Sequence, residues 1–180
     1  MKQFSLIISF LLMSIFIFAQ KPTVYGFKVA GIDSGTAIDL SQYKGKEILI
    51  VNVASKCGYT PQYTDLEKLY EKYKDKMVII GFPENNFLGQ EPGTNEQIKQ
   101  FCTSKYNVTF PLAAKINVKG DSIAPLYKWL TEKSLNGVED SHVTWNFNKY
   151  LINEKGEYVA HFISKVAPMD SVLISAIEAN

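Results

Sequence analysis

Glu47-Ile48-Leu49-Ile50-Val51-Asn52-Val53-Ala54-Ser55-Lys56-Cys57-Gly58-Tyr59-Thr60-Pro61 is the stretch that decides the fold. Its first seven residues are mostly β-branched and apolar, the pattern of a buried strand. Its end reads as a helix start, with Thr60 able to cap and Pro61 suited to the first turn. Tyr63, Leu66, Leu69, Tyr70 and Tyr73 then recur at helical spacing, which predicts a helix from Thr60 to about Lys74. One cysteine, Cys57, therefore stands at the seam between strand and helix. A cysteine just before a helix N-terminus meets backbone N–H donors and the positive end of the helix dipole, and both favour the nucleophilic thiolate.

Outward from this seam, Met77-Val78-Ile79-Ile80-Gly81-Phe82 reads as a second buried strand. Strand, helix, strand at this spacing is a βαβ unit, so the two strands should run parallel. Upstream, Val24-Tyr25-Gly26-Phe27-Lys28-Val29 and Gly35-Thr36-Ala37-Ile38-Asp39-Leu40 fit an N-terminal hairpin. Downstream, Thr94-Asn95-Glu96-Gln97 has the form of a capping box that opens a helix through Ile98, Phe101 and Cys102. Ala124 to Lys133 reads as a helix with Leu126, Trp129 and Leu130 on one face. Lys149–Ile152 and Tyr158–Phe162, joined by the turn Asn153-Glu154-Lys155-Gly156-Glu157, make a β-hairpin. A last helix covers Met169 to Glu178. The fold class expected is α/β, thioredoxin-like, with a central mixed sheet flanked by helices and an N-terminal β-hairpin.

At 180 residues the chain suits one domain with a real core. Nineteen basic against 18 acidic residues give a net charge of +1, which offers no support for nucleic-acid binding. Every basic residue is lysine. Tight clamping of a carboxylate or phosphate usually uses arginine's bidentate fork, so a close-fitting anion pocket is not expected. Lys2, the apolar run from Leu6 to Phe18 and the small Ala19 before Gln20 read as a signal peptide over residues 1–19. An uncleaved anchor is the alternative, because Ile17 breaks the small-residue rule. The domain then spans 20–180 and is exported, to the periplasm or outside the cell, as a soluble protein.

Two cysteines remain, Cys57 and Cys102. In an exported protein the plain reading of such a pair is one structural disulfide. A dithiol oxidoreductase places C-x-x-C at the strand–helix turn, but here Thr60 fills the second position. A lone cysteine there can still attack a peroxide O–O bond to give a sulfenic acid, which a distant thiol such as Cys102 can resolve. Gly81-Phe82-Pro83-Glu84-Asn85-Asn86-Phe87-Leu88-Gly89-Gln90-Glu91-Pro92-Gly93 puts amides and glycines at the carboxyl end of the second strand, the side of a parallel sheet where sites form. Thr144-Trp145-Asn146-Phe147-Asn148 offers neutral N–H donors, which can stabilise a thiolate and a leaving oxygen without fixed charge. Read alone, Gln90 is a loop amide and Trp145 a core ring. Trp129 reads as core. His142 and His161 lack metal-ligand spacing, and neither a metal nor a cofactor is expected.

Together these three segments resemble the glutathione peroxidase family, in its cysteine-containing form, over about Tyr25 to Ile177. Asn52-Val53-Ala54-Ser55-Lys56-Cys57-Gly58 is similar to that family's nucleophile signature. Gly81-Phe82-Pro83 with Phe87 through Gly93 is similar to its second signature, and Trp145-Asn146-Phe147 to its third. The resemblance implies a thiol peroxidase acting on hydrogen peroxide or organic hydroperoxides. Cys57 would be the peroxidatic cysteine, completed by Gln90, Trp145 and Asn146. Cys102 would be the resolving cysteine of members reduced by thioredoxin. A thioredoxin-like reductant is expected rather than glutathione, since glutathione-preferring members bind it through arginine and lysine. The short stretch from Leu112 to Thr144 resembles that of monomeric members. Glu84 stands where many members have cysteine, and Asn86 where glutamine is common; a carboxylate near Cys57 would oppose the helix dipole. Two alternatives remain: an exported thiol–disulfide oxidoreductase, and a non-catalytic domain with a structural Cys57–Cys102 bridge.

Overall fold

The computed structural model describes residues 22–179. The expected signal peptide over 1–19 lies outside them. The elements, in order, are β1 (Lys28–Ala30), β2 (Ala37–Asp39), β3 (Glu47–Val53), α1 (Gln62–Tyr73), β4 (Met77–Pro83), α2 (Asn95–Tyr106), α3 (Pro125–Thr131), α4 (Lys133–Asn136), β5 (Lys149–Ile152), β6 (Tyr158–Phe162) and α5 (Ser171–Glu178). A four-stranded sheet has the order β4-β3-β5-β6.

The sheet is mixed, as expected. β3 and β4 run parallel, with Glu47 opposite Met77 and Val53 opposite Pro83. β3 and β5 run antiparallel, with Ile50 opposite Tyr150 and Val51 opposite Lys149. The expected β5–β6 hairpin forms with the boundaries read from the sequence. Every residue of β3, β4 and β5 is buried, so both faces of these strands need apolar cover. On one face Leu49, Val51, Ile79 and Leu151 pack with Leu66 and Leu69 of α1, Cys102 of α2 and Leu173 of α5. On the other, Ile48, Ile50, Ile80 and Tyr150 pack with Leu126 and Leu130 of α3 and with Ile38 and Leu40 from the N-terminal segment.

Four expectations shift, the last helix first: expected from Met169, it begins at Ser171, where Asp170 Oδ1 accepts the Val172 N–H at 3.0 Å. The N-terminal hairpin exists, pairing Lys28 with Asp39 and Ala30 with Ala37, but Val24–Gly26 is a 3-10 turn rather than strand. The Val24 N–H is drawn instead to Gly156 O in the β5–β6 turn, at 2.8 Å. The helix expected over Ala124 to Lys133 ends at Thr131, because Glu132 is extended; α4 then starts anew, its Lys133 N–H capped by Asp140 Oδ1 at 2.7 Å. The helix expected from Thr60 begins at Gln62. Thr60 is not its cap, since the hydroxyl turns back into the cysteine loop described next.

Candidate active site

β3 ends at Val53, and the chain leaves the sheet in a tight loop that Thr60 ties down. The Thr60 hydroxyl donates to Ala54 O at 2.9 Å and accepts the Cys57 N–H at 3.0 Å. The Thr60 N–H donates to Cys57 O at 3.0 Å. With Cys57 so fixed, the Tyr59 N–H points at its sulfur, 3.4 Å from Sγ. Cys57 is buried, with 7% of the residue's surface exposed. The Lys56 side chain is exposed, while its backbone N–H donates to Gln90 O at 3.0 Å. That bond stitches the cysteine loop to the loop after β4.

The loop after β4 reverses through Leu88 and Gly89, both with positive φ, at +52° and +64°. Glycine accepts this conformation freely; leucine does so at a cost, with its side chain left almost fully exposed. The reversal sets Gln90 so that its Oε1 accepts from Asn146 Nδ2 at 2.8 Å. Asn146 is fully buried. Its own segment is tied to β3 by Phe147 N–H donating to Asn52 O at 2.6 Å, with Phe147 at φ +65°. The Trp145 ring lies 5.4 Å from the Phe87 ring at 43°. Beside it a hollow of about 370 Å³ is lined by Tyr59, Thr144, Trp145, Ile163, Ser164 and Lys165.

The fold thus brings Cys57, Gln90, Trp145 and Asn146 to the carboxyl ends of β3 and β4, joined by backbone and amide hydrogen bonds. A thiol receiving an N–H bond can attack an electrophile, and neutral N–H donors at the same strand ends can stabilise a developing oxyanion. Cys102 belongs to another element. It is fully buried on α2, a helix with the expected Thr94–Gln97 capping box at one end and Asn107 in the left-handed conformation at the other. Burial pushes its thiol up to about 11, with the Tyr63 hydroxyl beside it. Both cysteines are free thiols.

The hydrogen bonds of several buried polar residues around this centre were not legible in the sequence. Asn52 donates its amide to Trp145 O at 2.9 Å and to Glu84 Oε1 at 3.3 Å. Glu84 and Glu91 are both fully buried; Ser55 Oγ donates to Glu91 Oε1 at 2.6 Å. Burial raises both carboxyls, Glu84 to about 7. Lys149 is fully buried, and its amine donates to Phe147 O and Val166 O, each at 2.8 Å. His161 stacks on Tyr150 and meets Asn148 Oδ1 at 2.8 Å, while Asn148 Nδ2 donates to Trp145 O at 2.6 Å. The signal that could have found Lys149 was its position at the end of a buried strand, where a charge needs partners. Trp129 is core, as read.

Comparison with known proteins agrees with this fold and with the family resemblance. The family pattern described as Glutathione peroxidase matches residues 24–131. A glutathione peroxidase-like peroxiredoxin of Schizosaccharomyces pombe, gpx1, is 49% identical over 136 residues, covering 74% of this chain and 85% of that protein. A hydroperoxy fatty acid reductase of Synechocystis is 43% identical over 154 residues, covering 81% of this chain and 89% of the relative. Among solved structures, Trgpx in apo form superposes with a TM-score of 0.67 at 38% identity, covering 88% of this chain and 97% of its own. A DsbF homologue from Corynebacterium diphtheriae, with a TM-score of 0.61 at 16% identity and coverage of 88% and 86%, shares the fold alone.

Proposed function

The chain belongs to the glutathione peroxidase family and is a peroxidase by that membership; on this premise we propose that it reduces hydroperoxides through Cys57, with Cys102 resolving the oxidised thiol and a thioredoxin-like protein restoring both. The observation that carries the proposal is the joining of three separate segments around one thiol: Lys56 to Gln90, Gln90 to Asn146, and Phe147 to Asn52. In the reaction, the Cys57 thiolate attacks one peroxide oxygen. The S–O bond forms as the O–O bond breaks, and the departing oxygen takes a proton to leave as water or alcohol. Gln90, Asn146 and the Trp145 N–H orient the peroxide and stabilise the charge on that oxygen.

Cys102 then attacks the sulfenic acid, water leaves, and a disulfide joins the two cysteines. A disulfide needs Cα atoms within about 7 Å, so a buried thiol inside a capped helix has to be released by local unwinding of α2. A protein dithiol reopens the bridge by exchange. The absence of arginine and the presence of Cys102 both favour such a reductant over glutathione. The names of relatives as peroxiredoxins support the same choice. The signal-peptide pattern over residues 1–19 supports an exported enzyme, soluble in the periplasm or outside the cell, and the short stretch from Leu112 to Thr144 supports a monomer.

The test is peroxide consumption by the 20–180 chain and by Cys102→Ser, with thioredoxin and its reductase or with glutathione. The proposal expects thioredoxin-driven turnover in wild type that disappears in Cys102→Ser, while one stoichiometric reduction survives. Equal turnover of both proteins with glutathione would overturn it.

A further inference from the structure

The carboxyl end of β4 carries a buried carboxylate for which the reaction scheme has no use. Glu84 Oε1 takes the Asn52 amide at 3.3 Å, and Glu84 Oε2 takes the Asn86 N–H at 2.6 Å. The same Asn52 amide nitrogen donates to Trp145 O at 2.9 Å. Because that carbonyl only accepts, the Asn52 end facing Glu84 must be the NH2 group. Asn52 also holds the segment through its main chain, accepting from Phe147 at 2.6 Å and donating to Asn148 O at 3.3 Å. On the other side, Asn86 opens the loop that presents Phe87 to the Trp145 ring and Gln90 to Asn146. Glu84 is thus the acceptor shared by the two segments that build the site.

Both of its oxygens face N–H donors. Protonation removes the charge that strengthens both bonds and turns one oxygen into a donor, which weakens the hold on Asn52 and Asn86. We propose that Glu84 is a positioning residue whose carboxylate locks the Gln90 loop to the Trp145–Asn146 segment, so that losing its charge loosens the peroxide site. This rests on the reading of Cys57, Gln90, Trp145 and Asn146 as that site. The groups facing Glu84 are Lys119, which favours its charge, Glu91, which opposes it, and the Tyr127 hydroxyl of α3. Lys119 also lies 4.0 Å over the Phe87 ring. Burial raises the Glu84 carboxyl to about 7, so the lock is formed above neutrality and released below it.

The experiment labels the full 20–180 chain with 5-fluorotryptophan and follows its two tryptophans by fluorine NMR from pH 5.5 to 8.5, in wild type and Glu84→Gln, beside the rate of peroxide reduction. Trp129 reports global unfolding. The proposal expects the Trp145 signal to titrate near neutrality in wild type and to stay flat in Glu84→Gln. The wild-type to variant rate ratio should fall from about tenfold at pH 8 to about twofold at pH 6. A pH-independent ratio, or a Trp145 titration that persists in Glu84→Gln and vanishes in His161→Asn, would overturn it. If Glu84→Gln does not fold, a flat Trp145 signal in wild type still refutes the lock. A Trp145 signal that follows Glu84 in a protein inert to peroxide would support the lock and sink the peroxidase chemistry instead.

Discussion

Among the described residues, Lys149 has no acidic side chain paired with its amine. It is fully buried at the start of β5, and its amine meets two carbonyl oxygens, Phe147 O and Val166 O. A neutral amine carries two N–H bonds, one for each acceptor. Burial lowers the group to about 7, from the 10.5 of an exposed lysine. The unfolded chain therefore holds this proton more tightly than the folded one, so stability rises with pH across the window between these two values. Between pH 7 and 9.5 the linkage is worth about 3 kcal/mol. The perturbation is Lys149→Met, which keeps the length and removes the amine. Two buried carbonyls then lose their donors, at about 1–3 kcal/mol each. The variant should be less stable than wild type at pH 9.5, and the gap should shrink by about 3 kcal/mol at pH 7. Urea unfolding at the two values, with matched m, measures it. Comparing differences cancels the other groups that titrate in this range. A gap that is constant with pH would refute the reasoning, because Lys149 would then be charged in the fold.

Other outcomes follow from the same contacts. Gln90→Ala and Asn146→Ala should each slow the first peroxide reduction by about 10- to 1000-fold in stopped-flow single turnover. Since Asn146 holds Gln90 through a 2.8 Å bond, the double variant should lose less than the product, and strict additivity would contradict the coupling. Gly156→Ala should cost about 1–3 kcal/mol in thermal or urea unfolding, since Gly156 sits at φ +79° and a Cβ there would come within 2.5 Å of the Tyr25 ring. Amides of α2 should be protected from exchange in the reduced protein and lose protection after one equivalent of peroxide, whereas equal protection in both states would exclude disulfide formation through unwinding.

Much of this was legible in the sequence where the signal is periodic and local. β3, α1, β4 and the β5–β6 hairpin follow from apolar runs and turn residues, and the capping box at Thr94 stands where its pattern appears. The misreadings arise where one residue serves a distant partner. Thr60 has the chemistry of a helix cap, but the closer use of its hydroxyl is to bind Ala54 O and the Cys57 N–H, so the helix starts later. Glu132 breaks the third helix because Asp140 offers a fresh cap to Lys133. Within the site, Cys57, Gln90, Trp145 and Asn146 could be named from their motifs. The lattice that holds them could not. Asn52 looks like one more residue of a buried strand, and only the fold shows its amide bridging Glu84 and Trp145. Lys149 reads as the polar first residue of a strand, and its two carbonyl partners come from either side of β5.

The central claim is that Cys57 and Cys102 act in sequence on one peroxide. Intact mass of the reduced 20–180 chain after one equivalent of hydroperoxide tests it directly, in wild type, Cys57→Ser and Cys102→Ser. The account predicts loss of two hydrogens in wild type through one intramolecular disulfide. It predicts gain of one oxygen, trapped by a sulfenic-acid reagent at Cys57, in Cys102→Ser, and an unchanged Cys57→Ser. A wild type that stops at the oxygen adduct, or a Cys57→Ser that still consumes peroxide, would contradict it.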